Sequence, residues 1–336
     1  MTVVDVVGKP QAVGNFTLES PTGLEGNTLM IEIRRILCPI DFSDFSRRAF
    51  DHAVAIAKWY ESTITLLHVC TVQPVVAYAP GSSALPSAVL TAEDRDALLA
   101  DMKRFAESEA GTNVPIELDI LEGSTAAAIL EKAEAMPADL LVLGTHGRSG
   151  FERLVLGSVA EKVLRKADCP VLTVPGAMPD VVPVPRLLFK RIVCAIDFSD
   201  CSMQALNYAM SLAQEADAHL TVMHVLEWPP EMPGNVPDTV LAGPGISEYA
   251  AMAEEDRRAR LNAAVPDTVR AYCTVDTVLT SGKPYREILR VAADQDADIL
   301  VIGIHGRGAI DRLLFGSTAQ HLVRQAPCPV LTLRKG

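Results

Sequence analysis

The sequence lacks several features that would point to whole classes of function. Its formal net charge is −12, with 30 Lys and Arg against 42 Asp and Glu. This balance argues against a nucleic-acid-binding surface, because such surfaces need clustered basic side chains. No stretch approaches the ~18 continuous apolar residues of a membrane span, and the start of the chain lacks the basic and apolar regions of a signal peptide. We therefore expect a soluble cytoplasmic protein that has neither nucleic acid nor membrane as a partner.

Metal and disulfide chemistry also lack support. The seven cysteines include no Cys-x-x-Cys pair and no Cys/His spacing of a zinc site, so the sequence predicts no metal centre. We interpret the cysteines as small buried side chains in a reducing compartment. Cys201 is the one candidate for a reactive thiol, because it lies at the predicted start of a helix.

What the chain does contain is a long internal repeat. The segment ILCPIDFSD at 36–44 recurs as IVCAIDFSD at 192–200, and the glycine at 144 corresponds to the glycine at 303. A period this long indicates duplicated domains rather than a solenoid, and 336 residues suit two domains of roughly 150 residues. We predict domains at 31–175 and 187–334, a flexible extension at 1–29 and a proline-containing linker at 176–186.

Apolar runs alternate with helical patterns within each repeat. In the first repeat the patterns predict strands at 33–40, 63–69, 116–121, 140–143 and 171–174, with helices at 44–59, 92–110, 125–135 and 158–166. The second repeat follows the same order over 191–333, and long loops are expected at 71–91 and 228–246. This alternation predicts an α/β fold of two domains, each a five-stranded parallel, doubly wound, Rossmann-like sheet flanked by helices.

Glycines follow the fourth predicted strand of both repeats, each time with a helix start behind them. Such an element can hold a phosphate, because backbone amides and the helix dipole converge on an anion. Glycine at 144 and 147 permits positive φ and lets the backbone approach a phosphate without a Cβ in the way. Arg148 and Arg307 follow directly and could add charge-assisted contacts.

Neither familiar phosphate motif is present. The chain has no Gly-Lys-Ser/Thr, so the element is not a Walker P-loop, and the first-strand turn Asp-Phe-Ser-Asp has no Gly-x-Gly-x-x-Gly. Ser158 and Ser317 begin patterns typical of capping boxes, which makes backbone amides better anion ligands than the serine hydroxyls. Asp41 could hold ribose hydroxyls or serve as an Asx-type cap of the first helix.

Three motifs together resemble the universal stress protein family. They are the first-strand ending Pro-Ile-Asp-Phe-Ser at 39–43, the Leu-His-Val strand end at 67–69, and Gly-x-His-Gly followed by nine residues and Gly-Ser. The set occurs twice in the same order, with alanine for proline in the second copy. The resemblance implies a tandem protein of the family's ATP-binding branch, which binds ATP, ADP or AMP, with or without Mg²⁺, and acts in stress response or signalling through nucleotide-dependent conformation or partner choice.

The resemblance also implies which residues bind the nucleotide. Those on the nucleoside side would lie at the ends of the first two strands of each repeat: Pro39, Ile40, Asp41 and Val69, with Ala195, Ile196, Asp197 and Val225. Those at the ribose and phosphates would be Gly144, Gly147, Gly157, Ser158 and Val159, with Gly303, Gly306, Gly316, Ser317 and Thr318. The last strands, at 170–174 and 329–333, would pair with each other in antiparallel fashion and make an intrachain pseudo-dimer.

Other functions stay open at this point. A slow ATPase or phosphotransferase would need a positioned nucleophile and base, and the sequence offers no catalytic residue for that role. Binding of cyclic AMP is compatible with the same fold. A nucleotide-free interaction module is disfavoured by the intact glycines, and association of two chains into a homodimer cannot be read from the sequence.

Overall fold

The computed structural model describes most of both repeats. The described residues are 31–71, 90–107, 114–145, 156–176, 189–227, 244–306 and 315–334, with 244–250 described by backbone alone. The predicted extension at 1–29, most of the two predicted loops, and the linker apart from Gly176 lie outside the described residues.

The described residues of the first half form five strands and four helices in the predicted order: β1 (Arg35–Ile40), α1 (Asp44–Tyr60), β2 (Thr63–Cys70), α2 (Ala92–Glu107), β3 (Ile116–Glu122), α3 (Thr125–Ala135), β4 (Leu140–Gly144), α4 (Ser158–Lys166) and β5 (Val171–Val174). The predicted bounds of α3, α4 and β5 agree with the structure residue for residue.

Within the part of the chain that the structure describes, the second half repeats this order with one additional short helix: β6 (Arg191–Ala195), α5 (Asp200–Ala216), β7 (His219–Leu226), α6 (Pro244–Ala263), α7 (Asp267–Arg270), β8 (Val275–Ser281), α8 (Pro284–Asp294), β9 (Ile299–Gly303), α9 (Ser317–Gln325) and β10 (Val330–Leu333). The loop predicted at 228–246 is too long by three residues, because α6 already begins at Pro244.

All ten strands form one sheet in the order β3-β2-β1-β4-β5-β10-β9-β6-β7-β8. The pairs within each half are parallel, whereas β5 and β10 are antiparallel, with Leu172 opposite Leu331. This confirms the predicted pair of parallel five-stranded sheets and their pairing through the last strands. The arrangement leaves neither β5 nor β10 as an unpaired edge, which is the position most prone to unwanted strand addition.

The two faces of the sheet carry separate hydrophobic cores, and each core runs through both halves. One core contains Phe50 of α1 and Leu206 of α5. The other contains Ile129 of α3 and Val291 of α8. Because strands such as β4 are buried on both faces, their near-continuous apolar sequence is what a parallel sheet covered by helices requires.

The first helix of each half starts at a side-chain cap. Ser43 Oγ accepts a hydrogen bond from the Ser46 amide, and Ser199 Oγ accepts one from the Ser202 amide. This satisfies one of the amides that lack an intrahelical partner in the first turn. The caps fix where the chain turns from the end of β1 or β6 into a helix, and these turns carry the site residues. Among the described residues, no helix is long and apolar enough to cross a membrane.

Candidate functional site

The glycine that ends the fourth strand of each half lies against the start of the first helix. A Cβ atom built on Gly144 would lie 2.9 Å from the backbone oxygen of Phe45, and one built on Gly303 would lie 2.8 Å from the amide nitrogen of Ser202. Because these neighbours are backbone atoms, no side chain fits at either position. Glycine therefore brings the end of β4 or β9 into the crevice where β1 or β6 also ends.

Gly144 does not adopt the positive φ that a glycine permits at this position. Positive φ occurs among the described glycines at Gly123 and Gly282, and neither Gly144 nor Gly303 adopts it. The reason for glycine at these two positions is close approach to the helix backbone rather than a left-handed turn. Gly147 lies outside the described residues, as do Arg148 and Arg307.

A backbone hydrogen bond closes the glycine segment of each half. The Gly157 amide donates to the Thr145 carbonyl at 2.8 Å, and the Gly316 amide donates to the Ile304 carbonyl at 3.1 Å. The chain thus leaves the fourth strand and returns to its end after about a dozen residues. This closure places the N-termini of α4 and α9 at the carboxyl ends of the strands, where ligands of open α/β sheets bind.

The predicted capping boxes are wrong. The N-cap of α4 is Gly157 and that of α9 is Gly316, and neither helix start has a side-chain cap hydrogen bond. Ser158 is therefore the first helical residue and not the cap, and Glu161 instead pairs with Arg165 at 2.8 Å. Since the serine hydroxyls do not cap the helices, the reason for ranking them below the backbone amides as ligands no longer applies.

The first turns of α4 and α9 present amides toward the crevice. The first intrahelical bond of α4 runs from the Glu161 amide to the Gly157 carbonyl, and that of α9 from Gln320 to Gly316. Three amides before it in each helix have no acceptor within the helix, and they carry the positive end of the dipole. They belong to Ser158, Val159 and Ala160 in α4, and to Ser317, Thr318 and Ala319 in α9.

The aspartate at the end of the first strand also makes the turn into the first helix. Asp41 Oδ1 accepts from the Ser43 amide at 3.1 Å and from its hydroxyl at 2.5 Å. Asp197 repeats both bonds to Ser199, at 3.0 and 2.6 Å. These bonds show that the Asx-type role, one of the two alternatives for this aspartate, is real and uses one carboxylate oxygen.

The second carboxylate oxygen faces the glycine segment. A Cβ atom built on Gly306 would lie 2.7 Å from Asp197 Oδ2. The structure therefore brings together Asp197, Gly303, Gly306 and the start of α9 in one crevice. In the first half it brings Asp41 and Gly144 to the same relative places.

The turn residue after each aspartate is an important position that the sequence analysis did not single out. Phe42 has φ 64° and Phe198 has φ 62°, in the left-handed region that bulky residues rarely occupy. Such a conformation costs about 1–3 kcal/mol and persists only where the surrounding structure imposes it. The signal available in the sequence was the identity of Asp-Phe-Ser in both repeats.

The two isoleucines predicted on the nucleoside side are buried in the hydrophobic core. Ile40 is 5% exposed and Ile196 is 4% exposed, and their carbonyls bond to Nδ1 of His68 at 2.9 Å and of His224 at 2.7 Å. The two histidines thus make structural hydrogen bonds. Both isoleucines support the strand end rather than line an open surface.

The remaining nucleoside-side residues lie around that strand end. Pro39 and Ala195 are half-buried members of β1 and β6. Val69 and Val225 lie near the ends of β2 and β7, with their side chains in the core on the α3 and α8 side. Any contact of these valines with a ligand would therefore use their backbone groups.

Cys201 does not provide a reactive thiol in the crevice. It is 6% exposed, and its Sγ donates to the Leu333 carbonyl at 3.0 Å, so its place at the helix start is a packing position. Across the described ranges, no group of three or more His, Cys, Asp or Glu side chains is arranged to hold a metal ion.

Comparison with known proteins agrees with this geometry. The model of the universal stress protein family matches residues 32–175 and again 188–334. The chain belongs to the universal stress protein family. The two matches correspond to the two halves of the ten-stranded sheet, so the protein contains two universal stress protein domains in tandem.

Relatives match either one domain or the whole chain. A universal stress protein of Methanocaldococcus jannaschii is 43% identical over 142 residues, which cover 42% of this chain and 81% of that protein. One from Mycolicibacterium smegmatis is 27% identical and covers 89% of this chain and 96% of its own length. The crystal structure of a universal stress protein from Archaeoglobus fulgidus covers 91% of this chain and 98% of its own, with 21% identity and a TM-score of 0.59, and it shares the fold.

Proposed function

We propose that each universal stress protein domain of this chain binds one adenine nucleotide, with ATP as the ligand. The bound nucleotide would bias conformation or partner choice in a cytoplasmic stress or signalling response. The observation that carries this proposal is the convergence, in one crevice, of a carboxylate from the first strand and the amide-bearing N-terminus of a helix. These are complementary to two parts of a nucleotide, its ribose hydroxyls and its phosphates.

The carboxylate suits the ribose. Oδ1 of Asp197 is occupied by Ser199, which holds the side chain in one orientation, while Oδ2 faces Gly306. A carboxylate at a strand end commonly accepts ribose hydroxyl hydrogen bonds in nucleotide-binding α/β sheets. Asp41 has the same bonds to Ser43, which supports the same role in the first domain.

The helix start suits the phosphates. Three amides per domain have no acceptor within α4 or α9, and the exposed hydroxyls of Ser158 and Ser317 lie among them. Amides and a helix dipole hold an anion without the Lys of a P-loop, which fits a chain of net charge −12. Gly147 would join this set by resemblance, and Arg148 and Arg307 could add charge-assisted contacts. Mg²⁺, where present, would accompany the phosphates.

Calorimetric titration of the full chain with ATP, ADP, AMP and cyclic AMP tests the proposal. We expect two ATP per chain, and one after Gly306→Glu, because a side chain at 306 displaces Asp197 Oδ2 and adds a negative charge beside it. Adding Gly147→Glu should abolish binding. Ala100→Glu, which adds the same charge at an exposed position of α2 in the first domain, is the control and should keep both sites.

The same titration, together with a phosphate-release assay, separates the alternatives. If the chain binds cyclic AMP in preference to ATP, the proposed ligand is wrong but the proposed site is retained. Phosphate release above that of the Gly147→Glu, Gly306→Glu variant would add a slow ATPase activity. If the wild-type chain binds none of the four nucleotides, or if the double variant binds ATP normally, the proposed site is wrong.

A further inference from the structure

The backbone next to each candidate aspartate is strained in the same way in both domains. Phe42 and Phe198 have φ of 64° and 62°. The other described non-glycine residues with positive φ are Glu61, Asp217 and Asp296, which lie at helix ends. A left-handed residue at the end of a helix is common, whereas a phenylalanine in a turn between a strand and a helix is not.

Ring contacts hold both phenylalanines in this conformation. The Phe42 ring lies 5.0 Å from the His68 ring and 5.7 Å, edge to face, from the Phe105 ring, measured between centroids. The Phe198 ring lies 4.8 Å from the His224 ring, and the Arg260 guanidinium lies 4.4 Å from its centroid. The histidine contact is common to both domains, while the second contact differs.

The same histidine also fixes the residue before the aspartate. His224 Nδ1 bonds to the Ile196 carbonyl at 2.7 Å, and the Phe198 ring packs on that imidazole. Asp197 lies between these two residues in the chain, so its backbone is held on both sides by one imidazole. His68, Ile40 and Phe42 repeat this arrangement around Asp41.

We propose that Phe42 and Phe198 are positioning residues for the nucleotide sites. The ring, packed at a tilt against the strand-two histidine, imposes a left-handed turn that points the carboxylate of the preceding aspartate into the crevice and keeps Oδ1 on the following serine. This rests on the proposed function, because it gives the aspartate its orientation toward the ribose. Simple core packing of a phenylalanine would need neither positive φ nor its repetition beside both aspartates.

Substitution at Phe198 tests the inference in a chain whose first site is disabled by Gly147→Glu. Asn accepts the left-handed conformation but has no ring to pack against His224. We expect Phe198→Asn to weaken ATP binding at the second site at least tenfold. The conservative variant Phe198→Tyr should keep the affinity within about twofold. Phe189→Asn is the matched control, because Phe189 packs against the same core just before the opposite end of β6 and should leave the affinity unchanged.

A second measurement does not depend on nucleotide. The Ser199 amide donates to Asp197 Oδ1 at 3.0 Å, so its hydrogen exchange reports the orientation of the carboxylate. We expect exchange at this amide to accelerate at least tenfold in Phe198→Asn, but not in Phe198→Tyr or Phe189→Asn.

The outcomes distinguish this inference from the proposed function. Unchanged Ser199 exchange in Phe198→Asn would overturn the inference whether or not the protein binds ATP. So would equal losses of affinity in Phe198→Asn and Phe189→Asn, since both would then reflect general destabilisation. Absence of ATP binding by the wild-type chain, with exchange at Ser199 accelerated as expected, would overturn the nucleotide site and leave the positioning role of the ring.

Discussion

Thr173 and Thr332 occupy equivalent places on the two strands that join the domains, and each donates its hydroxyl to the opposite strand. Thr173 Oγ1 bonds to the Val330 carbonyl at 3.2 Å, and Thr332 Oγ1 bonds to the Val171 carbonyl at 3.1 Å. Both side chains are almost completely buried. The joint between the domains is therefore a two-fold arrangement within a single chain, in which duplication reproduces the symmetry of a dimer interface.

The two threonine bonds should contribute measurably to stability. Valine has nearly the same shape and no donor, and a net intramolecular hydrogen bond is worth about 0.5–1.5 kcal/mol. We expect Thr173→Val with Thr332→Val to lower the free energy of unfolding by about 1–3 kcal/mol. Urea denaturation of each single variant and of the pair measures this. Thr277→Val, which removes a more exposed hydroxyl bond to Asn262, should lower the free energy of unfolding by less than either single variant. An equal loss would contradict the contribution of the two threonine bonds to stability.

The strand-end glycines should be intolerant of alanine for reasons of packing. A Cβ at Gly303 meets the backbone at Ser202 and Cys201 within 3 Å, and one at Gly144 meets Phe45. Forcing extra atoms into such contacts typically costs about 1–3 kcal/mol. We expect Gly144→Ala and Gly303→Ala each to lower the melting temperature without any nucleotide present. A stable Gly303→Ala protein that loses only ATP binding would show that the glycine serves the ligand instead.

Glu215 should make stability depend on pH at the contact between the domains. Ile31 of the first half donates its amide to Ser211 Oγ at 3.0 Å, and Ser211 Oγ donates to Glu215 Oε1 at 3.2 Å. Burial raises the pKa of Glu215, although hydrogen bonds from Tyr60, Ser211 and Ile31 oppose that shift.

A carboxyl whose pKa is higher in the folded state stabilises the fold below its unfolded pKa, and this contribution is lost as the pH rises through the folded pKa. We expect Glu215→Gln to match the wild type near pH 4, where both side chains are neutral, and to exceed its free energy of unfolding at pH 7. Denaturation between pH 4 and 8 measures the difference. Glu131→Gln, at an exposed position, is the control and should show no such trend. The assignment would be contradicted if the stability of Glu215→Gln relative to the wild type fell between pH 4 and pH 7.

Thiol labelling should follow burial rather than position at a helix start. All seven cysteines are free, and Cys70 and Cys169 are the two that are not fully buried. Burial raises the pKa of Cys169 to about 11, whereas Cys70 is more accessible although burial and Glu122 also raise its pKa. We expect a thiol reagent at pH 8 to modify Cys70 first in the native protein, because the thiolate must form and be reached. Mass spectrometry of the labelled peptides measures this order, with urea-denatured protein as the control. First labelling of Cys201 would contradict the expectation.

Much of the candidate site could be predicted because it depends on local sequence. The repeat placed Asp41 and Asp197 at first-strand ends, and the structure brings Asp197 against Gly306. The capping-box prediction was wrong because the pattern Ser-x-x-Glu fits a helix that the serine caps and a helix whose first residue is the serine equally well. The bond from the Gly157 amide to the Thr145 carbonyl, which closes a long segment, selects the register in which Gly157 is the cap.

The sequence by itself determined the α/β class, the two domains, the order of their strands and helices, and the pairing of β5 with β10 through the family resemblance. These follow from periodic apolar patterns and from a duplication that any reader of the chain can align. Only the tertiary structure decided why Gly144 and Gly303 are glycines, that Cys201 is buried, and that Phe42 and Phe198 are held at positive φ. Each of these depends on an atom brought close from a distant part of the chain, and local sequence patterns carry no record of such contacts.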